Sequence, residues 1–368
     1  MKIAYEHQTF TSQSYGGISR YYSNLVSGLL QLRQDASVFA GLHRNHYLEG
    51  LPKTALHGVK VFPYPPKTGP IFHGFNHCLT QLQIMCWQPD VIHETYYSSI
   101  PRFGGDAIRV ITALDMIHEK YPDNFPLNDR TTQRKKITFD RVDHIISISQ
   151  STKNDLVELF DIDESKISVV HLGVATPNVN SLIKPAVNTR PFLLYVGARG
   201  GYKNFSLFVS AFAGSTELMR EFDLVAFGGG AFTPDELVSF EKHGFRQLQV
   251  KQVSGNDRVL SSLYSGAVAF VYPSLYEGFG MPPLEAMAAG CPVVCSNSSS
   301  MPEVVNDAGE YFNPSDMDEM RCAIETVCFS SALRDSLIAA GFENVKDFAW
   351  EKCAQQTLGV YQMLADQI

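Results

Sequence analysis

Apolar positions recur along this chain in two alternating periods. Short runs rich in β-branched and aromatic residues, at Lys2–Tyr5, Ser37–Ala40, Val59–Phe62, Asp90–His93, Arg109–Leu114 and His144–Ser147, read as strands. Between several of them the spacing is helical. Ile18, Tyr21, Tyr22, Leu25, Val26 and Leu29 share one helix face, and Ser151–Phe160 reads as another helix. The alternation restarts with strand patterns at Phe192–Val196, Asp223–Phe227, Leu248–Val253, Ala267–Tyr272 and Pro292–Cys295. Thr233 and Glu236, with Pro234 between them, form a capping box that opens a helix, and further helices are predicted over Asp257–Ser265 and Trp350–Asp366. Strands alternating with helices predict an α/β fold of mostly parallel sheets covered on both faces.

From Gly173 to Pro191 the period is lost and Pro and Asn accumulate, so 176–190 reads as a linker between domains at 1–175 and 191–349. The closing helix, within 350–368, is expected to pack back on the first domain. Doubly wound units bind ligands at the carboxyl ends of their strands, so two such units facing each other would bind in a cleft. Composition narrows the class. With 368 residues, 45% apolar and 18% charged, the chain has material for two cores and is neither disordered nor a coiled coil. No apolar run approaches the ~18 residues of a membrane span, and MKIAYEHQTF reads as a strand rather than a leader. A net charge of −8 gives no global attraction to nucleic acid. The 7 cysteines include no C-x-x-C pair and are expected to be buried thiols in a reducing cytoplasm.

Val271–Ser296, VYPSLYEGFGMPPLEAMAAGCPVVCS, carries the most chemistry. A strand ends near Ser274, and a loop presents Glu277, Gly278, Phe279 and Gly280. Pro282 and Pro283 suit the first turn of a helix that ends at Gly290. The two glycines let backbone approach a ligand. The N–H groups from Gly280 to Leu284, aided by the helix dipole, would face an anion. Glu277 and Glu285 flank that anion site with acceptors for hydroxyls. A plain strand–turn–helix with two ordinary glutamates has the same pattern, and the dinucleotide fingerprint fails because its third glycine falls on Pro283.

EGFGMPPLEAMAAGCPVV, with its paired glutamates, resembles the signature of the family 4 retaining glycosyltransferases, in the wording of bacterial surface-polysaccharide mannosyltransferases. YGGISRYYSNL (15–25), VDHIISISQSTKNDL (142–156), ISVVHLGV (167–174), YVGARGGYKN (195–204) and FAWEKCAQQTLGVY (348–361) are similar to other segments of that family in the same order. The resemblance implies a GT-B fold of two facing Rossmann-like domains. It also implies transfer of a hexose, preferably mannose from GDP-mannose, to a hydroxyl of a glycan or lipid-linked glycan. A UDP-hexose donor, an epimerase or hydrolase of the same fold, and a non-catalytic nucleotide-sugar binder are the alternatives. Residue by residue, it implies that Glu285 holds the ribose and Glu277 the donor sugar. Gly278, Phe279, Gly280 and Met281 would contact sugar and diphosphate, and Lys203, assisted by Arg199, would neutralise the leaving diphosphate. Gly16 and Gly17 would approach the donor from the first domain, and backbone near Val253 would meet the base. Where many relatives have histidine then aspartate, this chain has Leu114 then Asp115, with His118 the histidine placed to take over part of that role on the acceptor side.

No cofactor and no metal is expected. Asp161-Ile-Asp163 and Asp316-Met-Asp318 match a metal-binding D-x-D but fall where helices are capped. Gly228-Gly229-Gly230 reads as a tight turn or a phosphate cradle, and His93, at a strand end, as a structural or a site histidine. Arg130, Arg134, Lys135, Lys136 and Arg141 form either a solvated helix face or a peripheral dock for an anionic membrane.

Overall fold

The computed structural model describes residues 1–100, 105–175 and 190–367. The predicted linker falls outside them except for Arg190. The chain divides into two compact units, Met1–Gly173 with Trp350–Ile368, and Val174–Ala349.

Unit 1 is built on strands β1 (Lys2–Tyr5), β2 (Asp35–His43), β3 (Leu56–Lys60), β4 (Val91–Glu94), β5 (Ile108–Ala113), β6 (His144–Ser147) and β7 (Ile167–Val169). They form a parallel sheet in the order β3-β2-β1-β4-β5-β6-β7. The order reverses between β1 and β4, and Ile3 pairs with Ala36 on one side and Val91 on the other. Unit 2 repeats the plan with β8 (Phe192–Val196), β9 (Asp223–Phe227), β10 (Val250–Val253), β11 (Ala269–Tyr272), β12 (Val293–Ser296) and β13 (Gly309–Phe312). Its order is β10-β9-β8-β11-β12-β13, all parallel, reversing between β8 and β11. FLLYV and AFVY, the strands at that reversal, are nearly continuous apolar runs because helices cover both faces of a central parallel strand.

The closing helix, Trp350–Ala365, belongs to unit 1. It crosses the helix Gly17–Gln31 where Gly28 leaves room for the Ala354 methyl group; a β-carbon on Gly28 would stand 2.6 Å from it. It also delivers Tyr361 to the core, where the hydroxyl meets Tyr5 at 3.0 Å and His93 Nδ1 at 2.6 Å. His93 Nε2 meets Thr112 Oγ1 at 2.9 Å, so of its two sequence readings the structural one is found. Burial holds the His93 imidazole down to about 3, and burial with neighbouring lysines holds His43 and His144 down to about 4. These histidines stay neutral in the fold but take up protons once unfolded, starting near 6.5. Unfolded chain therefore binds more protons between pH 6.5 and about 3, and stability falls as pH falls through that window. We expect the melting temperature to drop progressively below pH 6.5, and His93→Gln, if folded, to flatten the slope. A melting temperature constant from pH 7 to 4 would contradict this.

Two expectations need correction. Cys291, Cys295, Cys328 and Cys353 are buried thiols, but Cys78, Cys86 and Cys322 are exposed, because they lie on outward faces of helices that the apolar pattern did not orient. The five-residue basic stretch is not one solvated face. Lys135 is buried and meets Glu119 at 2.8 Å and the Asp115 carbonyl at 2.7 Å, while Arg141 pairs with the fully buried Glu94. Buried carboxylates require such partners. Arg130, Arg134 and Lys136 remain exposed.

Candidate active site

The loops that leave β8 and β11 are the two at the strand-order reversal of unit 2, where such sheets take their ligands. They are stitched together. Leu275 N–H donates to the Tyr202 carbonyl at 2.8 Å. Asn204 Nδ2 donates to the carbonyls of Pro273 at 3.1 Å and Pro314 at 2.7 Å. Asn204 sits in the left-handed region (φ 57°), which Asn tolerates better than most side chains, and starts the helix Phe205–Ala213 from there. The stitching brings Lys203 Nζ to 2.6 Å from Glu277 Oε1, with both side chains mostly buried. The ammonium also lies 5.1 Å from the Tyr202 ring centre and 5.7 Å from that of Tyr272. Burial first, then the Glu277 charge, hold the Tyr272 phenol far above its ordinary range, so it stays protonated beside the pair.

Beyond Glu277 the loop turns into the helix Met281–Ala288 through Gly280, whose φ of 112° favours glycine and which packs against the end of the Met301 side chain. Pro282 and Pro283 have no N–H, so the donors between residues 280 and 284 are those of Gly280, Met281 and Leu284. This is a narrower set than the sequence expectation. Phe279 is buried and packs edge-on against Phe348. Glu285 lies on the same helix, half-buried.

Three serines that the sequence reading passed over hold this loop. Ser300 Oγ donates to the carbonyls of Glu277 at 3.0 Å and Phe279 at 2.7 Å, and Ser299 Oγ accepts the Glu277 N–H at 2.9 Å. Ser298 Oγ donates to the Leu275 carbonyl at 2.9 Å. A run of serines after a strand reads locally as loop punctuation. The only signal available was its place directly after the strand neighbouring β11.

Arg199, expected to assist Lys203, is held by partners within unit 2. All five of its N–H groups are engaged: Nε with Glu236 at 2.6 Å, Nη1 with the Gly228 and Gly230 carbonyls at 3.1 Å each, and Nη2 with Ala231 at 2.9 Å and Glu236 at 3.3 Å. The guanidinium also stacks over Phe232, 4.7 Å away. Burial opposes ionisation of Glu236, yet hydrogen bonds from Arg199 and Thr233 win and hold its carboxyl below the usual range. Arg199 is therefore a clamp on the turn after β9, and that turn, with Gly228, Gly229 and Gly230 all at positive φ, is the tight turn among its two sequence readings. Val253 closes β10 beside it, its carbonyl accepting from Gly228 N–H and Gln252 Nε2 at 3.0 Å each.

The remaining candidates lie in unit 1. Gly16 precedes the helix Gly17–Gln31 with its α-hydrogen against the Gln13 side chain, whereas Gly17 is exposed with open space where a β-carbon would stand. Asp115 Oδ1 accepts from Ile117 N–H at 3.1 Å and lies 3.7 Å from Lys135. His118 stacks on Phe125 with ring centres 3.8 Å apart, and burial, then the Lys135 charge, hold its imidazole below the ordinary value. Asp161 closes one helix in the left-handed region, Asp163 caps a short turn, and Asp316 caps the helix Met317–Phe329. Those aspartates are engaged in capping.

Comparison with known proteins agrees with the two-unit architecture. The profile of glycosyltransferase family 4 matches residues 15–177, and that of glycosyl transferases group 1 matches residues 181–344. The O-antigen chain mannosyltransferase B of Escherichia coli is 30% identical over 249 residues, 64% of this chain and 65% of that protein. The O-antigen chain mannosyltransferase RfbU of Salmonella typhimurium is 30% identical over 222 residues, 60% of each chain. The matched region thus spans less than two thirds of either relative. In fold, the chain aligns with the sucrose-phosphate synthase of Thermosynechococcus elongatus at a TM-score of 0.76 and 18% identity, over 100% of both chains.

Proposed function

Because the chain belongs to the family 4 and group 1 glycosyltransferases and has their GT-B fold, we propose that it transfers a hexose from a nucleoside diphosphate sugar to a hydroxyl of a glycan or lipid-linked glycan. The observation that carries this is the Lys203–Glu277 pair, set at the strand-order reversal beside the glycine-started helix Met281–Ala288. A cation and helix N–H donors suit a diphosphate, and two carboxylates suit hydroxyls. Glu285 holds the ribose, Glu277 the sugar, and Lys203 the diphosphate as it departs. Mannose from GDP-mannose is the preferred donor, because two of the matched relatives are named as mannosyltransferases.

The chemistry follows from positioning. Once the donor is bound, its diphosphate competes with Glu277 for Lys203. The carboxylate thus released is available to sugar hydroxyls, and the ammonium meets charge that grows as the glycosidic bond breaks. In a retaining front-face transfer the leaving diphosphate itself takes the acceptor proton, so neither a protein base nor a metal is required. The reaction would take place in the cytoplasm, with exposed Arg130 and Lys136 available to an anionic membrane surface.

Thermal denaturation with GDP, UDP and ADP tests the donor assignment. The matching diphosphate, at ~100 times its dissociation constant, should stabilise by about 2.7 kcal/mol and raise the melting temperature above the other two. If none of the three shifts the transition, the assignment fails.

A further inference from the structure

Unit 1 has its own cavity, of about 360 Å³. His7 and Gln8 reach it from the segment after β1, Tyr96 from the segment after β4, His73 and His77 from the helix Gly69–Trp87, and Arg134 from the helix Thr131–Arg141. It therefore stands at the strand-order reversal of this sheet, as Lys203 and Glu277 do in the other. Its lining has a distinct chemistry. Three imidazoles and a guanidinium face it, and among the described residues that line it there is no carboxylate. The His7 ring lies 6.1 Å from that of His73 and 6.2 Å from that of His77. Hydroxyls orient two of these rings, Thr11 Oγ1 at 3.1 Å from His7 Nδ1 and Ser12 Oγ at 3.3 Å from His73 Nε2. The neighbouring acid, Glu6, is wholly buried, its oxygens accepting from Gln8 Nε2 at 2.8 Å and Gln81 Nε2 at 3.0 Å.

The helix that supplies two of the histidines is inverted. Surface helices normally turn their apolar stripe inward. Here Asn76, His77, Thr80 and Gln81 are buried with Ile84, while Ile71, Phe75, Leu82 and Met85 are at least half exposed. Asn76 spends its amide on Thr11 and the Leu42 backbone and Gln81 donates to Glu6, so of this inward polar face it is His77 that lines the cavity. Sugar hydroxyls alone would call for carboxylate acceptors, as in unit 2. Imidazoles and a guanidinium without carboxylates call for an anion.

We propose that this cavity holds the phosphate or diphosphate group of the acceptor, with Arg134 and His73 as its principal donors. The inference rests on the transferase reading, because only then is there an acceptor to hold.

The test is titration of inorganic pyrophosphate, followed by histidine ring NMR, with nucleoside diphosphate in saturating excess so that the Lys203 site is filled. The His73 and His77 resonances should move, and Arg134→Gln should weaken binding about tenfold, the scale of a lost charge-assisted contact. His73→Gln, at a second position, should weaken it similarly. Zwitterionic vesicles with and without a long-chain alkyl phosphate form a further arm. Shifts with free pyrophosphate identify a soluble phosphate source, and shifts only with the doped vesicles a lipid headgroup; either supports the site. Silent histidines in every arm, or parental affinity in both variants, would overturn it. Transfer to a phosphate-free glycan by those same variants would show that the transferase reading survives such a failure.

Discussion

Lys203→Ala should lower turnover by about 10²–10³-fold, the scale found when one preorganised electrostatic donor is removed. That corresponds to roughly 2.7–4 kcal/mol of transition-state stabilisation. The side chain is mostly buried, lies 2.6 Å from Glu277 and has its ammonium 5.1 Å and 5.7 Å from the ring centres of Tyr202 and Tyr272. A cation held there needs little reorganisation to meet new negative charge on a departing diphosphate. Its interaction strengthens during the reaction, so the loss should fall on kcat more than on the donor KM. Steady-state kinetics at saturating donor checks this, after melting curves show that the variant is folded. Near-parental turnover would remove the leaving-group role.

Glu277→Gln should lower kcat/KM by about 10²-fold, through both constants. The substitution keeps the shape of the side chain but removes the charge that pairs with Lys203 and the second strong acceptor for sugar hydroxyls. Glu285→Ala supplies the contrast. The ribose it is expected to grip does not change during transfer, so its loss should appear as a raised donor KM with turnover largely kept. Donor titrations of both variants separate the roles, and identical profiles would mean that the two carboxylates do the same work.

Much of the fold was legible in the sequence because the central strands are short apolar runs separated by capped helices. β1, β6, β8 and β9 lie where the pattern put them to the residue. Of the edge strands, β3 and β10 were read from it, whereas β7 and β13 were not, since ISV is only three residues long and GEYF opens on a glycine and a charge. The helix Gly69–Trp87 was missed for another reason. Its polar residues face inward, so its pattern contradicts the rule by which helices are recognised.

The site divides in the same way. Glu277, Gly280 and Glu285 lie within one short segment, and local spacing is what a sequence displays. The partners that set their geometry are remote in sequence. Arg199 is consumed by Glu236, 37 residues away, and Glu277 is held by serines more than twenty residues on. Lys135 and Arg141 read as surface charge because the acids they neutralise, Glu119 and Glu94, come from other elements. Charge pairing across a sheet leaves no local pattern, so a basic stretch overstates the basic surface.

The central claim is transfer, and the most direct measurement is mass analysis of products after incubation with GDP-mannose, or a UDP-hexose, with and without a glycan acceptor. Acceptor heavier by one hexosyl unit, with release of nucleoside diphosphate that depends on acceptor, is the predicted result. Free hexose released without any gain in acceptor mass, a nucleotide sugar converted to its epimer, or bound donor left unchanged would contradict it.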